Sequence, residues 1–334
     1  MSALTGHPEV DEAAIVAEAE AAVERIAAAK AEIGRVIFGQ ESVVERTLVT
    51  LLAGGHGLLV GVPGLAKTKL VATLGTVLGL DAGRVQFTPD LMPSDILGAE
   101  VLEQAADGTR GFRFIRGPVF AQLLMADEIN RASPRTQSAL LQAMQEGHVT
   151  VAGVSHALPR PFHVLATQNP LEQEGTYPLP EAQLDRFLLQ IDVHYPDRAA
   201  ERRILIETTG ADEAEPRAVL AADELMTFQR LVRRLPVGQS VVEAILDLVR
   251  AGRPEPGGVS PDLVAWGPGP RASQALMLTV RARALLEGRL APSVDDVVAL
   301  AEPVLQHRMA LTFAARADGR TVRGVIDGLT AKLR

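Results

Sequence analysis

The chain has 334 residues and a formal net charge of −8, from 41 acidic and 33 basic residues. Hydrophobic residues make up 47% and charged residues 22%, which excludes wholesale disorder and leaves room for about two folded domains. The acidic excess argues against a protein that coats duplex nucleic acid. Cysteine is absent, so disulfides, thiol nucleophiles and cysteine-zinc sites are excluded.

An alanine- and glutamate-rich segment comes first. Residues 11–35 carry apolar side chains at near-helical spacing, which predicts one amphipathic helix that ends near Gly34. The residues before it have neither a basic start nor an apolar stretch, so we expect no signal peptide and a cytoplasmic protein. The uncharged stretch 47–66 is too rich in glycine for a membrane span, and a helix end, a glycine turn and a buried strand explain it better.

Short apolar runs follow, each typical of a strand buried on both faces of a parallel sheet. They are residues 57–62, 84–88, 122–127, 162–168 and 187–193. Helical patterns such as 67–79 and 134–146 separate most of these runs. This alternation predicts an α/β core with a parallel sheet.

Two stretches interrupt the alternation. Residues 99–116, with Asp107-Gly108 at their centre, predict a β-hairpin, and residues 147–158 predict a second one around Gly153.

Beyond about residue 196 helical patterns dominate. They cover residues 223–234, 240–251, 271–288, 294–308 and 320–332. Ser293 and Asp296 predict a capping box at the start of the fourth of these helices. Five glycines and five prolines in 252–270 predict an exposed connection. The second domain is therefore expected to be a small helical bundle.

The strongest motif lies between the first predicted strand and the helix after it. The run Gly61-Val-Pro-Gly64-Leu-Ala-Lys67-Thr68 is typical of a loop that surrounds phosphate with backbone N–H groups and a helix N-terminus. Lys67 would neutralise phosphate charge, and Thr68 would offer its hydroxyl to Mg²⁺. The strict pattern has glycine where this chain has Ala66. The alternative is a glycine turn with an incidental lysine and threonine.

Polar residues also follow two later strands. Asp127 and Glu128 come after an apolar strand, where Asp127 would belong to the magnesium shell and Glu128 would polarise an attacking water. Asn169 follows the next strand and could orient that water or touch the γ-phosphate. The alternatives are a surface acidic pair and a turn-forming asparagine ahead of Pro170.

In this order the motifs resemble the MoxR branch of the AAA+ ATPases. The resemblance rests on FGQE at 38–41, GVPGLAKT, LLMADEIN, ATQNP, LPEAQLDRF and GPRAS, and Ala66 also fits it. The resemblance spans roughly residues 35 to 310. Together with the predicted elements it gives the expected domains: an N-terminal helix at 1–35, an α/β nucleotide-binding core at 36–200 with a five-stranded parallel sheet, and a helical lid at 201–334. The two hairpins are similar to inserts of the same clade.

The resemblance also implies roles for single residues. Asn169 would be sensor 1, Arg186 the arginine finger and Arg271 sensor 2. The nucleotide-binding residues implied are Val36, Ile37, Phe38, Gly39 and Gln40 at the adenine, and Gly61, Pro63, Gly64, Leu65, Ala66, Lys67, Thr68 and Lys69 at the phosphates, with Thr68 and Asp127 at the metal. For Arg186 the alternative is a surface salt bridge with Asp185. Whether Arg271 serves its own subunit or the next stays open.

We therefore expect an ATP hydrolase that uses Mg²⁺ and assembles into a ring, a hexamer, to remodel or mature protein clients. The resemblance further implies a partner with a von Willebrand factor A domain. A magnesium-chelatase-like subunit, a DNA-dependent helicase-like motor and a nucleotide-gated scaffold with little turnover are the alternatives. The cluster Arg230, Arg233 and Arg234 predicts a solvated helix face, with a partner or nucleic-acid contact as the other possibility.

Overall fold

A parallel sheet of five strands lies at the centre of the protein. The computed structural model describes residues 12–104, 110–171, 175–210 and 214–333. The strands are β1 (Gly57–Val60), β2 (Ala82–Gln86), β3 (Gly98–Gln104), β4 (Arg110–Arg116), β5 (Leu123–Asp127), β6 (His148–Val151), β7 (Val154–Ala157), β8 (His163–Gln168), β9 (Leu189–Asp192), β10 (Val264–Trp266) and β11 (Ala310–Leu311). The sheet has the order β2-β5-β8-β1-β9, and every neighbouring pair is parallel. The predicted five-stranded parallel core is confirmed.

The central strands are mostly apolar because helices cover both faces of the sheet. In β5, Leu123 and Met125 join the core on one face, and Leu124 and Ala126 join the core on the other. This alternation is the two-residue period of a strand whose sides are both buried. Since all five strands run in the same direction, the carboxyl ends of β1, β5 and β8 meet at one edge of the sheet.

Helices account for most of the remaining described chain. They are α1 (Glu12–Gly34), α2 (Glu41–Leu52), α3 (Lys67–Val77), α4 (Pro93–Leu97), α5 (Pro134–Glu146), α6 (Glu181–Leu184), α7 (Arg198–Thr208), α8 (Ala222–Arg234), α9 (Gln239–Ala251), α10 (Pro270–Leu286), α11 (Val294–Leu305), α12 (Phe313–Ala317) and α13 (Val322–Thr330). Residues from α1 to α3 and from the C-terminal helices form one core with the sheet, and residues of α4 and α5 belong to the core on its other face. Among the described residues, no helix has the length and apolar content needed to cross a bilayer.

Both predicted hairpins are present as antiparallel strand pairs, β3 with β4 and β6 with β7. The turn between β6 and β7 uses Ala152 and Gly153, whose φ angles are +48° and +82°. Two successive positive φ angles are what a tight hairpin turn requires. The predicted turn at Asp107-Gly108 lies outside the described residues.

One of the two hydrogen bonds of the predicted capping box of α11 is present, while the Ser293 hydroxyl accepts none from the helix backbone. The backbone N–H of Ser293 donates to Asp296 over 2.7 Å. Asp296 is completely buried, and the guanidinium groups of Arg283 and Arg289 pair with its carboxylate. These two cations hold the negative charge of Asp296 inside the protein.

The connection predicted to be exposed at 252–270 is exposed or half-buried at most positions, but it contains a short strand with a buried residue. Val264 is buried, and β10 pairs antiparallel with β11, some 45 residues later in the chain. A side chain on Gly258 would lie 2.1 Å from the carbonyl oxygen of Arg253, so this glycine marks close packing. The strands have three and two residues, too few to show an alternating pattern.

The limits of the predicted domains stay a prediction. The predicted boundary after residue 200 falls within α7, which begins at Arg198. The chain therefore continues from the core into the C-terminal part through an unbroken helix.

Two histidines are held neutral at the amino ends of β1 and β8. His163 contacts the carbonyl oxygen of Gly55 through Nδ1 at 2.8 Å, and its Nε2 contacts the side-chain amide of Gln229 at 3.0 Å. His56 accepts from the backbone N–H of Val164. Burial lowers the pKa of His56 to about 3 and that of His163 to about 4, and mutual repulsion adds to the effect at His56.

These histidines predict a loss of stability in mild acid. In the unfolded chain a histidine has a pKa near 6.5, so below that pH the unfolded state binds more protons than the folded state. The free energy of unfolding should fall as pH decreases from 6.5 toward 4, by up to about 1.4 kcal/mol per pH unit for each histidine. Urea unfolding at a series of pH values measures this slope.

The matched comparison is His163→Asn, which keeps an amide near the Gly55 carbonyl and does not titrate. In this variant the free energy of unfolding should depend less steeply on pH between 6.5 and 5. His194→Asn, at an exposed position, should leave that dependence unchanged. Equal slopes in the wild type and in His163→Asn would contradict the assignment.

Candidate functional site

The loop after β1 approaches the strand next to it closely. A side chain at Gly61 would lie 2.6 Å from the carbonyl oxygen of Val193, so only glycine fits there. Gly64 has φ +83° and open space where a side chain would be. Ala66 has φ +56° and precedes α3, which begins at Lys67. The loop, which has open space beside its backbone at Gly64, therefore leads directly into the N-terminus of α3. This arrangement favours the binding of an anion.

Lys67 and Thr68 lie in the first turn of α3. The Lys67 ammonium donates to the carbonyl oxygen of Gly61 over 2.5 Å, which holds its positive charge over the loop. Thr68 is exposed. A cation and a hydroxyl thus stand side by side at the helix start, as the sequence predicts.

The acidic pair ends β5 at the same edge of the sheet. Asp127 accepts from the hydroxyl of Thr167 over 2.6 Å and pairs with the guanidinium of Arg84 over 2.7 Å. Glu128 has the left-handed conformation, φ +54° and ψ +50°, which costs a residue with a side chain roughly 1 kcal/mol or more. The backbone N–H of Glu128 donates to the same Thr167 hydroxyl over 2.8 Å. Thr167 therefore fixes both acidic residues.

The Glu128 carboxylate is held through one of its oxygens. Its Oε2 accepts from Gln86 over 2.7 Å and from Arg131 over 3.0 Å. Within the described part of the chain, no hydrogen bond is made to Oε1. One oxygen is thus anchored and the other can accept a proton from water.

Asn169 follows β8 and is nearly buried. Its Oδ1 accepts from the backbone N–H of Leu171 over 3.1 Å. Because that bond uses the oxygen, the amide NH₂ is the group that can donate to a ligand.

These side chains surround a single cavity of about 400 Å³, here called the polar cavity. Its lining is Pro63, Gly64, Ala66, Lys67, Thr68, Lys69, Asp127, Glu128 and Asn169. The site carries the hydroxyl and carboxylate oxygens that Mg²⁺ prefers, on Thr68 and Asp127, next to an ammonium group. The residues present therefore fit a magnesium triphosphate.

A smaller cavity of about 120 Å³, the apolar slot, adjoins the polar cavity and shares Gly64, Ala66 and Lys69 with it. Its other lining residues are Val36, Ile37, Phe38, Gln40, Leu65, Pro196, Ile204 and Thr208. Gly39 does not line the slot, but a side chain there would lie 2.4 Å from Cβ of Ala200, so glycine lets α7 approach. An apolar slot beside a polar cavity matches a flat base attached to phosphates.

The two predicted arginines lie elsewhere. Arg186 and Arg271 line a third cavity of about 270 Å³, the arginine cavity, together with Arg233, Arg308 and residues 54–56. Residues 54–56 precede β1, and Arg186 precedes β9, which pairs in parallel with β1 from Gly57↔Leu189 to Val60↔Asp192. The arginine cavity is therefore at the amino ends of these strands, and the polar cavity is at their carboxyl ends.

The alternative reading of Arg186 as the partner of Asp185 is wrong. Asp185 accepts from Arg308 over 2.7 Å and lies 3.8 Å from Arg271. Arg186 makes no ion pair with any described residue. Its guanidinium is left available in the arginine cavity.

Comparison with known proteins agrees with this geometry. A family model described as "ATPase family associated with various cellular activities (AAA)" matches residues 56–189, and a model of the AAA lid domain matches residues 260–328. The chain is 44% identical to Chaperone MoxR1 of Mycobacterium tuberculosis, over 86% of this chain and 76% of that protein. It is 30% identical to Protein MoxR of Paracoccus denitrificans, over 85% and 88% of the two chains.

A crystal structure of a candidate ATPase from Cytophaga hutchinsonii has the same fold, with a TM-score of 0.88 and 35% identity over 95% of this chain and 97% of that one. The chain belongs to the MoxR family of AAA+ ATPases.

Some residues of this MoxR-family site have no signal in the sequence. Arg84 and Gln86 lie on β2, about 40 residues before the acidic pair that they contact. Thr167 is part of the ATQNP motif, but it contacts Asp127 only because β8 lies beside β5. α7, which supplies Ile204 and Thr208 to the apolar slot, was not predicted either.

Thr167→Val tests the shared hydroxyl. Valine has nearly the same shape but removes the bonds to Asp127 and to the Glu128 backbone, so both carboxylates lose their positions. We expect ATP turnover to fall about 10- to 100-fold. The unpaired Glu128 N–H should also lower the free energy of unfolding by about 1–3 kcal/mol, so turnover is measured at a temperature at which the variant is folded. The control is Thr279→Val, which removes a buried hydroxyl that bonds only within α10 and should retain turnover. Equal rates in both variants would contradict the role of Thr167.

Arg308 is a second residue that the sequence did not single out. Its side chain is 3% exposed, and besides Asp185 it donates to the carbonyl oxygens of Phe187 and Val304 over 2.7 and 2.6 Å. It thus ties the residues next to Arg186 to the end of α11.

Removing this guanidinium leaves a carboxylate and several carbonyl groups without a donor. Arg308→Met should therefore lower the free energy of unfolding by about 3 kcal/mol. Arg316→Met, at an exposed position in α12, should change it by less than about 0.5 kcal/mol. Chemical denaturation of the two variants measures the difference, and similar values would refute the structural role.

Proposed function

We propose that this chain binds and hydrolyses ATP with Mg²⁺, in a ring of copies that remodels protein clients. The observation that carries the proposal is the polar cavity, which brings together Lys67, Thr68, Asp127, Glu128 and Asn169 beside the apolar slot. The names of the relatives support the wider role, because one of them is a chaperone.

In the proposed reaction each group has a separate task. The backbone of Gly61–Thr68 and the Lys67 ammonium bind phosphate oxygens. The Thr68 hydroxyl and the Asp127 carboxylate would hold Mg²⁺, which supplies positive charge to the phosphates when bound. The free oxygen of Glu128 accepts the proton of the attacking water, and the Asn169 amide positions that water or the γ-phosphate.

The placement of Arg186 and Arg271 supports an assembly. A strand of four residues spans about 13 Å, so these arginines cannot reach the polar cavity of their own chain from the other end of β1 and β9. They can reach the phosphates of a neighbour that packs head to tail, where an arginine raises the rate of hydrolysis by about 10³- to 10⁵-fold. We therefore propose that Arg271, like Arg186, serves the next subunit.

Head-to-tail contacts between identical chains close into a ring when the rotation between neighbours divides a full turn, and otherwise form a filament. We propose a hexamer, with a von Willebrand factor A domain protein as a partner; both follow from the family resemblance. The mass of the Glu128→Gln variant in the presence of ATP, measured by native mass spectrometry, tests the ring and its size.

Two variants test the chemistry. Lys67→Ala should lose ATP binding, because the phosphates lose their nearest cation. Glu128→Gln should bind ATP but release phosphate at least about 100-fold more slowly, because an amide cannot take a proton from water. Calorimetry measures the binding, and phosphate release measures the turnover. Glu146→Gln, at the exposed end of α5, is the control and should match the wild type.

Equal turnover in the wild type and in Glu128→Gln would refute the assigned role of Glu128. A wild-type chain that binds no adenine nucleotide would refute the whole proposal. Turnover that appears only with DNA, and is lost steeply with salt, would favour the helicase-like alternative.

A further inference from the structure

Arg233 is the arginine of the arginine cavity that takes no part in the fold contacts or the reaction described above. It lies in the last turn of α8, and it lines the arginine cavity together with Arg186 and Arg271. The cavity thus collects arginines from the core, from α8 and from α10, and among the described residues Asp185 is its one acidic lining residue. Because the chain has a net charge of −8, this concentration of positive charge indicates a site that binds an anion.

The arginines near the end of α8 differ in their partners. Arg234 pairs with Glu18 over 2.7 Å, and Arg230 donates to the hydroxyl of Thr227 over 2.8 Å. The Arg233 side chain, which is exposed, makes no hydrogen bond or ion pair with any described residue. Asp185 does not neutralise it, since that carboxylate is already bonded to Arg308. Arg186 and Arg233 are therefore two cations of this cavity without an acidic partner in the described chain.

The backbone that carries Arg233 is fixed by another arginine. The guanidinium of Arg281, on α10, donates to the carbonyl oxygen of Arg233 over 3.4 Å. Burial, and after it the positive charge of Arg233, lower the pKa of Arg281. Its Nε is buried and has no acceptor within the described residues. Two like charges are thus kept near each other at a cost in stability, which favours a function for the pair over incidental placement.

We propose that Arg233 is a third arginine that binds the triphosphate of the neighbouring subunit, together with Arg186 and Arg271. The inference rests on the proposed function and adds to it a residue from α8. The occupant of the arginine cavity is a second copy of this chain, whose polar cavity presents Asp127, Glu128 and the phosphates to the arginines. The charges of the two surfaces are complementary.

Arg233 differs from the other two arginines in the element that carries it. Arg186 belongs to the core, and Arg271 begins α10. α8 packs against α1 and α2 through buried residues such as Leu225, Leu231 and Val232. In the proposed assembly a neighbouring nucleotide would therefore contact the helical part of this chain at two helices, α8 and α10.

The test uses full-length variants mixed in pairs. Arg233→Gln keeps an intact polar cavity, and Lys67→Ala keeps an intact arginine cavity. Each alone should hydrolyse ATP at least about tenfold more slowly than the wild type. Mixed in equal amounts, roughly a quarter of head-to-tail interfaces combine the two intact cavities, so activity should rise well above the sum of the separate variants. Arg186→Gln mixed with Lys67→Ala is the positive control.

Arg234→Gln is the matched control on the same helix, and it should hydrolyse ATP at the wild-type rate because its side chain pairs with Glu18. Arg233→Lys keeps the charge and should recover part of the turnover. The native mass of Arg233→Gln with ATP should equal that of the wild type, since the residue binds the nucleotide and is not needed to hold the ring together.

Wild-type turnover in Arg233→Gln overturns this inference and leaves the proposed function intact. A loss of turnover that mixing with Lys67→Ala does not restore, while the Arg186→Gln mixture recovers, shows that Arg233 acts within its own chain and also overturns it. The inference is also overturned if Arg233→Gln no longer assembles, or if its only defect is a loss of stimulation by DNA. A wild-type chain without ATP hydrolysis refutes the proposed function itself.

Discussion

The shared direction of β1 and β9 constrains everything else in this protein. Parallel pairing places Gly61, after β1, at one edge of the sheet and Arg186, before β9, at the other. Loops at the two edges cannot meet without crossing the sheet, whatever their sequences. The polar cavity and the arginine cavity are therefore separate in one chain. In the proposed assembly this separation becomes useful, because each interface joins one cavity of each kind.

The sequence predicted the sheet and the polar cavity well because their signals are local. Most of the five strands are short segments rich in apolar residues. Gly61–Thr68 and Asn169 each follow one of them, and Asp127 ends another. A parallel sheet then brings these strand ends together without further information. Residues whose role depends on contacts across the sequence gave no such signal. Arg84, Thr167 and Arg308 are chemically ordinary, and only the folded chain shows which carboxylates they bind.

The C-terminal half was less predictable for the same reason. Its long helices carry a clear 3.6-residue period, but β10 and β11 are too short to have a period of their own. Glycine and proline in 252–270 correctly predict interrupted regular structure and say nothing about burial. The cluster at Arg230, Arg233 and Arg234 looks uniform in the sequence. In the structure the three side chains have different surroundings, since one lines the arginine cavity and another pairs with Glu18.

Asp185 contacts two arginines, Arg308 and Arg271, and these two contacts differ in strength. The contact with Arg308 is short and sheltered, whereas the contact with Arg271 is 3.8 Å long and its guanidinium is about half exposed. A loose, hydrated ion pair contributes little. If Arg271 binds a neighbour's phosphates in the proposed assembly, Asp185 would keep its bond to Arg308, and no carboxylate would lose its last cationic partner. Moving Arg271 away from Asp185 would therefore cost little free energy, and the bond between Asp185 and Arg308 would still hold this side of the arginine cavity together.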